Sequence, residues 1–217
     1  MKQLTFKFPF KTNYFEEDFY VSSNNFDAYK LIESWPNWSG RYINIYGPSG
    51  CGKTHLANIF KKKINSFFVK ASELNNDSLS FIKLKECLII DDYQNNIDEK
   101  LFYTLLNESY QSNQYLIVNS LTPIKNIKIK LNDLKSRFEN FINIGIELPT
   151  DDLIRVILSK NFSDKQVKID VRLLEYILKN IHRSYKDIFD LIDKLDSLSL
   201  STGKSININL IKKVLNR

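Results

Sequence analysis

Short, nearly unbroken apolar runs recur along the first two thirds of the chain: "YINIY" (42–46), "FFVKA" (67–71), "CLIID" (87–91), "YLIVN" (115–119) and "FINIGIEL" (141–148). Runs of this length without polar alternation suit strands buried on both faces, as in a parallel sheet. Stretches of helical periodicity lie between them, so the order predicts a parallel sheet with crossover helices. Pro149 ends the alternation. Beyond it, Val171, Leu174, Ile177, Leu178 and Ile181 share one helical face, and Ile188, Leu191, Ile192, Leu195 and Leu198 share another. Gly203 is placed to stop the second helix. The expected fold class is α/β: a five-stranded parallel sheet with flanking helices over residues 13–148, then a small all-helical domain over 149–217.

Residues 1–12 fit neither part. "MKQLTFKFPF" puts Leu4, Phe6, Phe8 and Phe10 ahead of the first predicted helix, with Pro9 interrupting. Chain ends usually fray, so apolar surface there needs a place to go. Either the tail packs on its own domain or it is a peptide ligand for another protein.

Composition narrows the class. The 217 residues are 43% apolar, as in an ordinary globular core, and no stretch approaches transmembrane length. The start of the chain lacks an apolar segment with a small-residue cleavage site, and Cys51 and Cys87 have no metal-like spacing. A reduced, cytoplasmic protein is the expectation. Net charge is +6, from 31 Lys plus Arg against 25 acidic residues. With only three alanines in a chain rich in Lys, Asn and Ile, that charge reads as compositional drift. It is compatible with work near DNA without being a DNA-binding signature.

The candidate chemistry follows the first predicted strand. "GPSGCGKT" (47–54) precedes the helical "HLANIFKKK" and fits G-x-x-x-x-G-K-[ST] in its strand–loop–helix context. Gly47, Gly50 and Gly52 let the loop backbone turn, with Pro48, Ser49 and Cys51 between them, so that its N–H groups converge on phosphate oxygens at a helix N-terminus. Lys53 can meet the β- and γ-phosphates, and Thr54 can ligate Mg²⁺. "CLIIDDY" ends a strand in two acids: Asp91 can hold the Mg²⁺ shell and Asp92 can polarise a water, although the pair could also cap a turn. Asn119 ends the next strand, either near a γ-phosphate or in an ordinary turn. Arg137 lies in "DLKSRFENF" between apolar Leu134 and Phe138. It could reach a nucleotide held by a neighbouring protein, or it could form a surface salt bridge. His55 and His182 read as helix residues.

On these residues the chain resembles the AAA+ ATPases of the DnaA clade, and within it the Hda-type regulatory inactivators, over essentially its whole length. "DFYVSSNNFDA" (18–28) is similar to the clade's F-x-V-x-x-x-N-x-x-A stretch, which implies Phe19 and Val21 near an adenine. "GPSGCGKTHL" and "LIIDD" match its Walker A and B forms, and Asn119 falls at sensor 1. "DLKSRF" resembles the family's D-L-x-S-R-[LF], which implies Arg137 as an arginine finger. The family's sensor 2 is an Arg at the start of the third lid helix. Here Lys186 stands at the best-matching position, with Arg183 three residues earlier, and a Lys lacks the guanidinium fork. "QLTF" resembles the Q-L-x-L/F peptide by which Hda-type proteins dock on the DNA polymerase sliding clamp, with Gln3 as polar anchor and Leu4 and Phe6 as apolar plugs.

The resemblance therefore implies a P-loop AAA+ domain and lid with ADP or ATP and Mg²⁺ as cofactors, and the sliding clamp and DnaA as partners; self-association is compatible with it. It also implies a regulator that acts mainly by promoting hydrolysis of DnaA-bound ATP, with a weak ATPase activity of its own left open. The sequence stops at Arg217 without a helix-turn-helix segment, so neither an initiator nor sequence-specific DNA binding is expected, and the lack of a stretch of transmembrane length predicts no membrane role. Two alternatives stay open: a helicase-loader-type AAA+ ATPase that turns over its own ATP, and a module that binds nucleotide without chemistry.

Overall fold

The computed structural model describes residues 14–94, 97–203 and 205–215. The expected tail, with Gln3, Leu4 and Phe6, lies outside them. The chain divides into two compact units, one covering Tyr14–Glu147 and the other the helical region from Leu148 onward.

The first unit alternates strands and helices as the apolar runs require. In chain order these are α1 (Phe26–Glu33), β1 (Tyr42–Tyr46), α2 (Lys53–Lys61), β2 (Ser66–Lys70), α3 (Ser78–Ile82), β3 (Cys87–Tyr93), α4 (Glu99–Gln111), β4 (Tyr115–Ser120), α5 (Asn132–Phe138) and β5 (Ile142–Gly145). The strands form one parallel sheet in the order β2-β3-β4-β1-β5. Side chains alternate between faces along each strand. Leu88, Ile90, Leu116 and Val118 join Phe102, Leu105, Leu106, Leu134 and Phe138 of α4 and α5 in one core cluster. The intervening Ile43, Ile45, Ile89 and Ile117 are buried as well, as are Leu56, Ile59 and Phe60 of α2. Each fully buried aliphatic side chain contributes about 1.5–3 kcal/mol, which is why uninterrupted apolar runs specify central strands.

Beyond shifts of a single residue at β2 and β4, three features differ from the sequence reading. The last strand is shorter than 141–148: Ile146 N still bonds to Tyr46 O, but Glu147 N turns to Asn24 O, so the strand leaves the ladder to tie down the loop before α1. β3 runs two residues further than 87–91, and its register with β4 shifts between Ile90 and Tyr93. His182 is not helical; it lies in the bend between two helices of the second unit.

The second unit comprises α6 (Asp151–Asp164), α7 (Val171–Asn180), α8 (Tyr185–Thr202) and α9 (Ile208–Val214). Ile154, Leu158 and Phe162 of α6 pack with Ile177, Leu178, Ile188, Leu191, Ile192 and Leu195 around one core. Thr150, Asp170, Ser184 and Asn207 each cap a helix by accepting from a backbone N–H of its first turn. Gly203, at φ 64, ends α8 in the left-handed conformation. Val171, expected on the buried face, is 69% exposed because it opens α7 beside its cap, before the helix has turned toward the core.

Candidate functional site

The P-loop begins where β1 ends, inside the sheet between β4 and the edge strand β5. A Cβ on Gly47 would sit 2.5 Å from Ile146 O, so only glycine lets the loop leave β1 against β5. Gly52 has φ +100, and a Cβ there would lie 3.0 Å from the ring of Phe19. Phe19 thus packs directly on the loop glycine that starts α2, stacks on Tyr29 and meets His55 edge-on. Asn25 fixes the segment bearing Phe19 and Val21: its Oδ1 accepts from Ser22 N and its Nδ2 donates to Tyr20 O. Ala28 is fully buried one turn later. The spacing F-x-V-x-x-x-N-x-x-A therefore has a local cause, namely a loop locked by its own asparagine with its first aromatic laid against the P-loop.

Lys53 Nζ donates to Gly47 O at 2.7 Å and Pro48 O at 3.0 Å, so the ammonium lies inside the curl of the loop. Burial pushes the Cys51 thiol up in pKa, with Lys53 acting the other way, which leaves Cys51 a packed thiol rather than a nucleophile. Ser49 and Gly50 stay exposed at the loop's tip.

Thr54, Asp91 and Asn119 form one hydrogen-bonded chain. Thr54 Oγ1 donates to Asp91 Oδ2 at 2.9 Å, and Asn119 Nδ2 donates to Asp91 Oδ1 at 2.7 Å. Register explains the meeting. Ile89 pairs with Ile117, so Asp91 and Asn119, each two residues on, fall on the same face, and Asn119 pairs with Ile45 on β1. Asp91 is 6% exposed and Asn119 fully buried, and Asn119 Oδ1 has no hydrogen-bond partner among the described residues. Flipping the amide would only set oxygen against carboxylate, so the free group is an acceptor. A hydroxyl, a carboxylate and a free amide oxygen are the oxygen ligands a hydrated Mg²⁺ accepts, and the dipole of α2 favours the phosphates it would accompany. The residues present fit a magnesium nucleotide.

Asp92 is exposed and left-handed (φ 59), at the point where the β3–β4 register shifts. Bulges of this kind re-aim a side chain at the end of a strand. Its Oδ1 accepts from Gln94 Nε2 at 2.7 Å, a contact that sequence reasoning missed.

Arg137 lies elsewhere. It lies in the last turn of α5, just ahead of β5, whose Ile142 pairs with Ile43 near the start of β1. Its NH2 donates to Asn107 Oδ1 at 3.0 Å, and its guanidinium sits 5.3 Å from the centroid of the Tyr110 ring. Nearby Tyr42 opens β1, and burial holds its phenol above the ordinary range, offset in part by the charge of Arg137. The P-loop follows Tyr46, at the other end of that strand, which spans about 13 Å at ~3.3 Å per residue. Arg137 therefore sits toward the opposite end of the strands from the P-loop of its own chain. No carboxylate pairs with it among the described residues, so the surface salt bridge left open by spacing is not formed.

In the helical unit, Lys186 is exposed at the second position of α8. Arg183 precedes the helix and is engaged in a two-point ion pair with Asp151, Nε to Oδ1 at 2.9 Å and NH2 to Oδ2 at 3.2 Å. That pair raises the pKa of Arg183 and lowers that of Asp151. Among the described residues, no helix is long and apolar enough to cross a membrane.

Comparison with known proteins places these features. The sequence model of a family described as "Hda, lid domain" matches residues 151–215, and one described as "RNA helicase" matches residues 43–130. The chain is 28% identical over 225 residues to the chromosomal replication initiator protein DnaA of Treponema denticola, covering 92% of this chain and 48% of that one. It is 27% identical to DnaA of Borreliella afzelii, over 97% of this chain and 49% of that one. The chain spans about half the length of the curated relatives it matches. Among solved structures, domain III of Thermotoga maritima DnaA superposes with a TM-score of 0.78 at 21% identity, covering 96% of this chain and 98% of that one. A replication initiator DnaA bound to AMPPCP and single-stranded DNA gives 0.67 at 24% identity, over 83% and 63%. At these identities the structural likeness establishes the fold: an AAA+ α/β domain with a helical lid.

Proposed function

Because the chain belongs to the DnaA clade of AAA+ proteins, we propose that it regulates replication initiation by promoting hydrolysis of ATP bound to DnaA, with Arg137 as an arginine finger acting in trans. The observation that carries the proposal is the position of Arg137. It is half-buried, paired with no acid among the described residues, and set toward the end of the strands remote from its own P-loop. A guanidinium held there is placed for a nucleotide brought by a second protein rather than for that of its own P-loop. Arginine fingers act by stabilising charge on the transferring phosphoryl group.

The P-loop of this chain binds ADP or ATP in this reading, as a solved DnaA relative binds AMPPCP. Gly47 to Thr54 wrap the phosphates, Lys53 turns from the loop carbonyls to the β- and γ-oxygens, and Phe19 and Val21 border the base. Mg²⁺ would supply positive charge that neutralises the phosphates when bound. Thr54 and Asp91 hold its shell, Asn119 accepts from a water, Asp92 polarises one, and Lys186 supplies sensor-2-like charge. Bound nucleotide then acts mainly to fix the AAA+ unit in its working form.

Gln3, Leu4 and Phe6 tether the protein to the sliding clamp, so that it meets DnaA where DNA has been copied. The direct test is hydrolysis of ATP on the cognate DnaA, with this protein added in the presence and absence of DNA-loaded clamp. Stimulation that requires both supports the proposal, and none under either condition sinks it. Replacing Gln3, Leu4 and Phe6 together with alanine should abolish clamp binding and leave the melting temperature nearly unchanged, because a docking peptide buries its side chains only when bound. A melting temperature lower by many degrees would instead make the tail part of the core.

A second reading is a helicase-loader-type motor. The connected Thr54–Asp91–Asn119 chain and the exposed Asp92 favour it, since these are the parts a self-hydrolysing site needs. Rapid turnover of ATP by the protein alone would select it.

A further inference from the structure

We infer that Tyr110 is a positioning residue for Arg137, an aromatic shelf that holds the guanidinium ready before a partner arrives. This inference rests on the reading of Arg137 as a finger acting in trans.

Tyr110 lies in the last turn of α4, on the same side as Asn107 one turn earlier. Arg137 spans both, with one NH2 donor on Asn107 Oδ1 and its guanidinium over the Tyr110 ring. Tyr110 is 65% exposed, so little of the fold depends on its ring. An exposed aromatic of this size on a helix end usually has no task in the core.

The chemistry gives it one. A guanidinium that must deliver a planar fork to a phosphoryl group loses rotamer freedom when it docks. Holding the side chain beforehand removes that cost from the step in which the fork engages the transferring phosphoryl group, after the partner has bound. A salt bridge would hold it more tightly, but a carboxylate would compete with the phosphate for the same donors. A ring face and a neutral amide oxygen orient the fork while leaving its charge and its other N–H donors available. The absence of any paired carboxylate among the described residues agrees with this choice of holders.

The test measures DnaA-bound ATP hydrolysis against concentration of this protein, with loaded clamp present, for Tyr110→Ala, Tyr110→Phe and Arg137→Ala. Exposed cation–π contacts shift an equilibrium by about two- to fivefold, and Tyr110→Ala should lower the maximal rate by that factor. The half-saturating concentration should not change, and neither should the melting temperature. Tyr110→Phe keeps the ring and should retain the wild-type rate. Tyr110→Ala combined with Arg137→Ala should be no slower than Arg137→Ala alone. A Tyr110→Ala variant that only raises the half-saturating concentration would make Tyr110 a partner contact and overturn the inference. So would one that matches wild type while Arg137→Ala is inactive. If Arg137→Ala itself stimulates fully, the finger reading has failed, an outcome separate from either.

Discussion

Replacing Arg137 with alanine should lower stimulated hydrolysis of DnaA-bound ATP by two or more orders of magnitude, because arginine fingers are typically worth about 10³ to 10⁵ in rate. The same change should leave the fold, the protein's own nucleotide affinity and its clamp binding intact. Arg137 gives up one hydrogen bond to Asn107 and one ring contact to Tyr110, both near the surface. The residues that anchor α5 are its neighbours Leu134 and Phe138, which are buried in the core with Phe102 and Tyr93. Arg137→Lys should fail almost as badly, since an ammonium can rest on Tyr110 but cannot present two parallel donors to a phosphoryl group. A variant lacking Arg137 that still stimulates fully would remove the central claim.

How far this site could be seen in the sequence depended on how its parts are joined. The P-loop was legible because strand, glycines, lysine and helix are contiguous in the chain, and each constrains the next. The loop bearing Phe19 and Val21 was legible for the same reason, being locked by Asn25 within a few residues. Asp91 and Asn119 were each visible as polar ends of apolar runs. Their shared face depends on β3 lying beside β4 and on the pairing of Ile89 with Ile117, neither of which chain order fixes.

Asn107 and Tyr110 carried no signal. They are 30 and 27 residues before Arg137, on a helix whose pattern speaks only of its buried face, and they meet Arg137 because α4 and α5 pack on the same core. The left-handed backbone at Asp92 was equally hidden, since aspartate gives no hint of it where glycine would. Val171 shows the opposite error: it keeps the helical spacing of its face but occupies the first turn, where spacing alone does not guarantee burial.

Lys53 and Asp91 should separate the two halves of nucleotide recognition. Lys53→Ala removes the ammonium that the loop curls around, and hydrogen bonds to charged groups are worth about 1.5–3 kcal/mol each. Affinity for both ADP and ATP should fall at least about tenfold, whether or not Mg²⁺ is present, because the loss is a direct phosphate contact. Stability should change little, since Lys53 is only half-buried and its bonds to Gly47 O and Pro48 O are made within the loop. Asp91→Asn keeps the shape but removes the carboxylate that Thr54 and Asn119 share. That variant should bind ATP as wild type does in chelator, yet lose most of the gain that Mg²⁺ brings, because a neutral amide is a poor partner for a hard dication. Calorimetric titrations with and without Mg²⁺ read both effects. Wild-type affinity in Lys53→Ala would mean the loop does not bind phosphate, and equal loss in both variants regardless of Mg²⁺ would mean that Asp91 supports the loop and has no part in holding the metal.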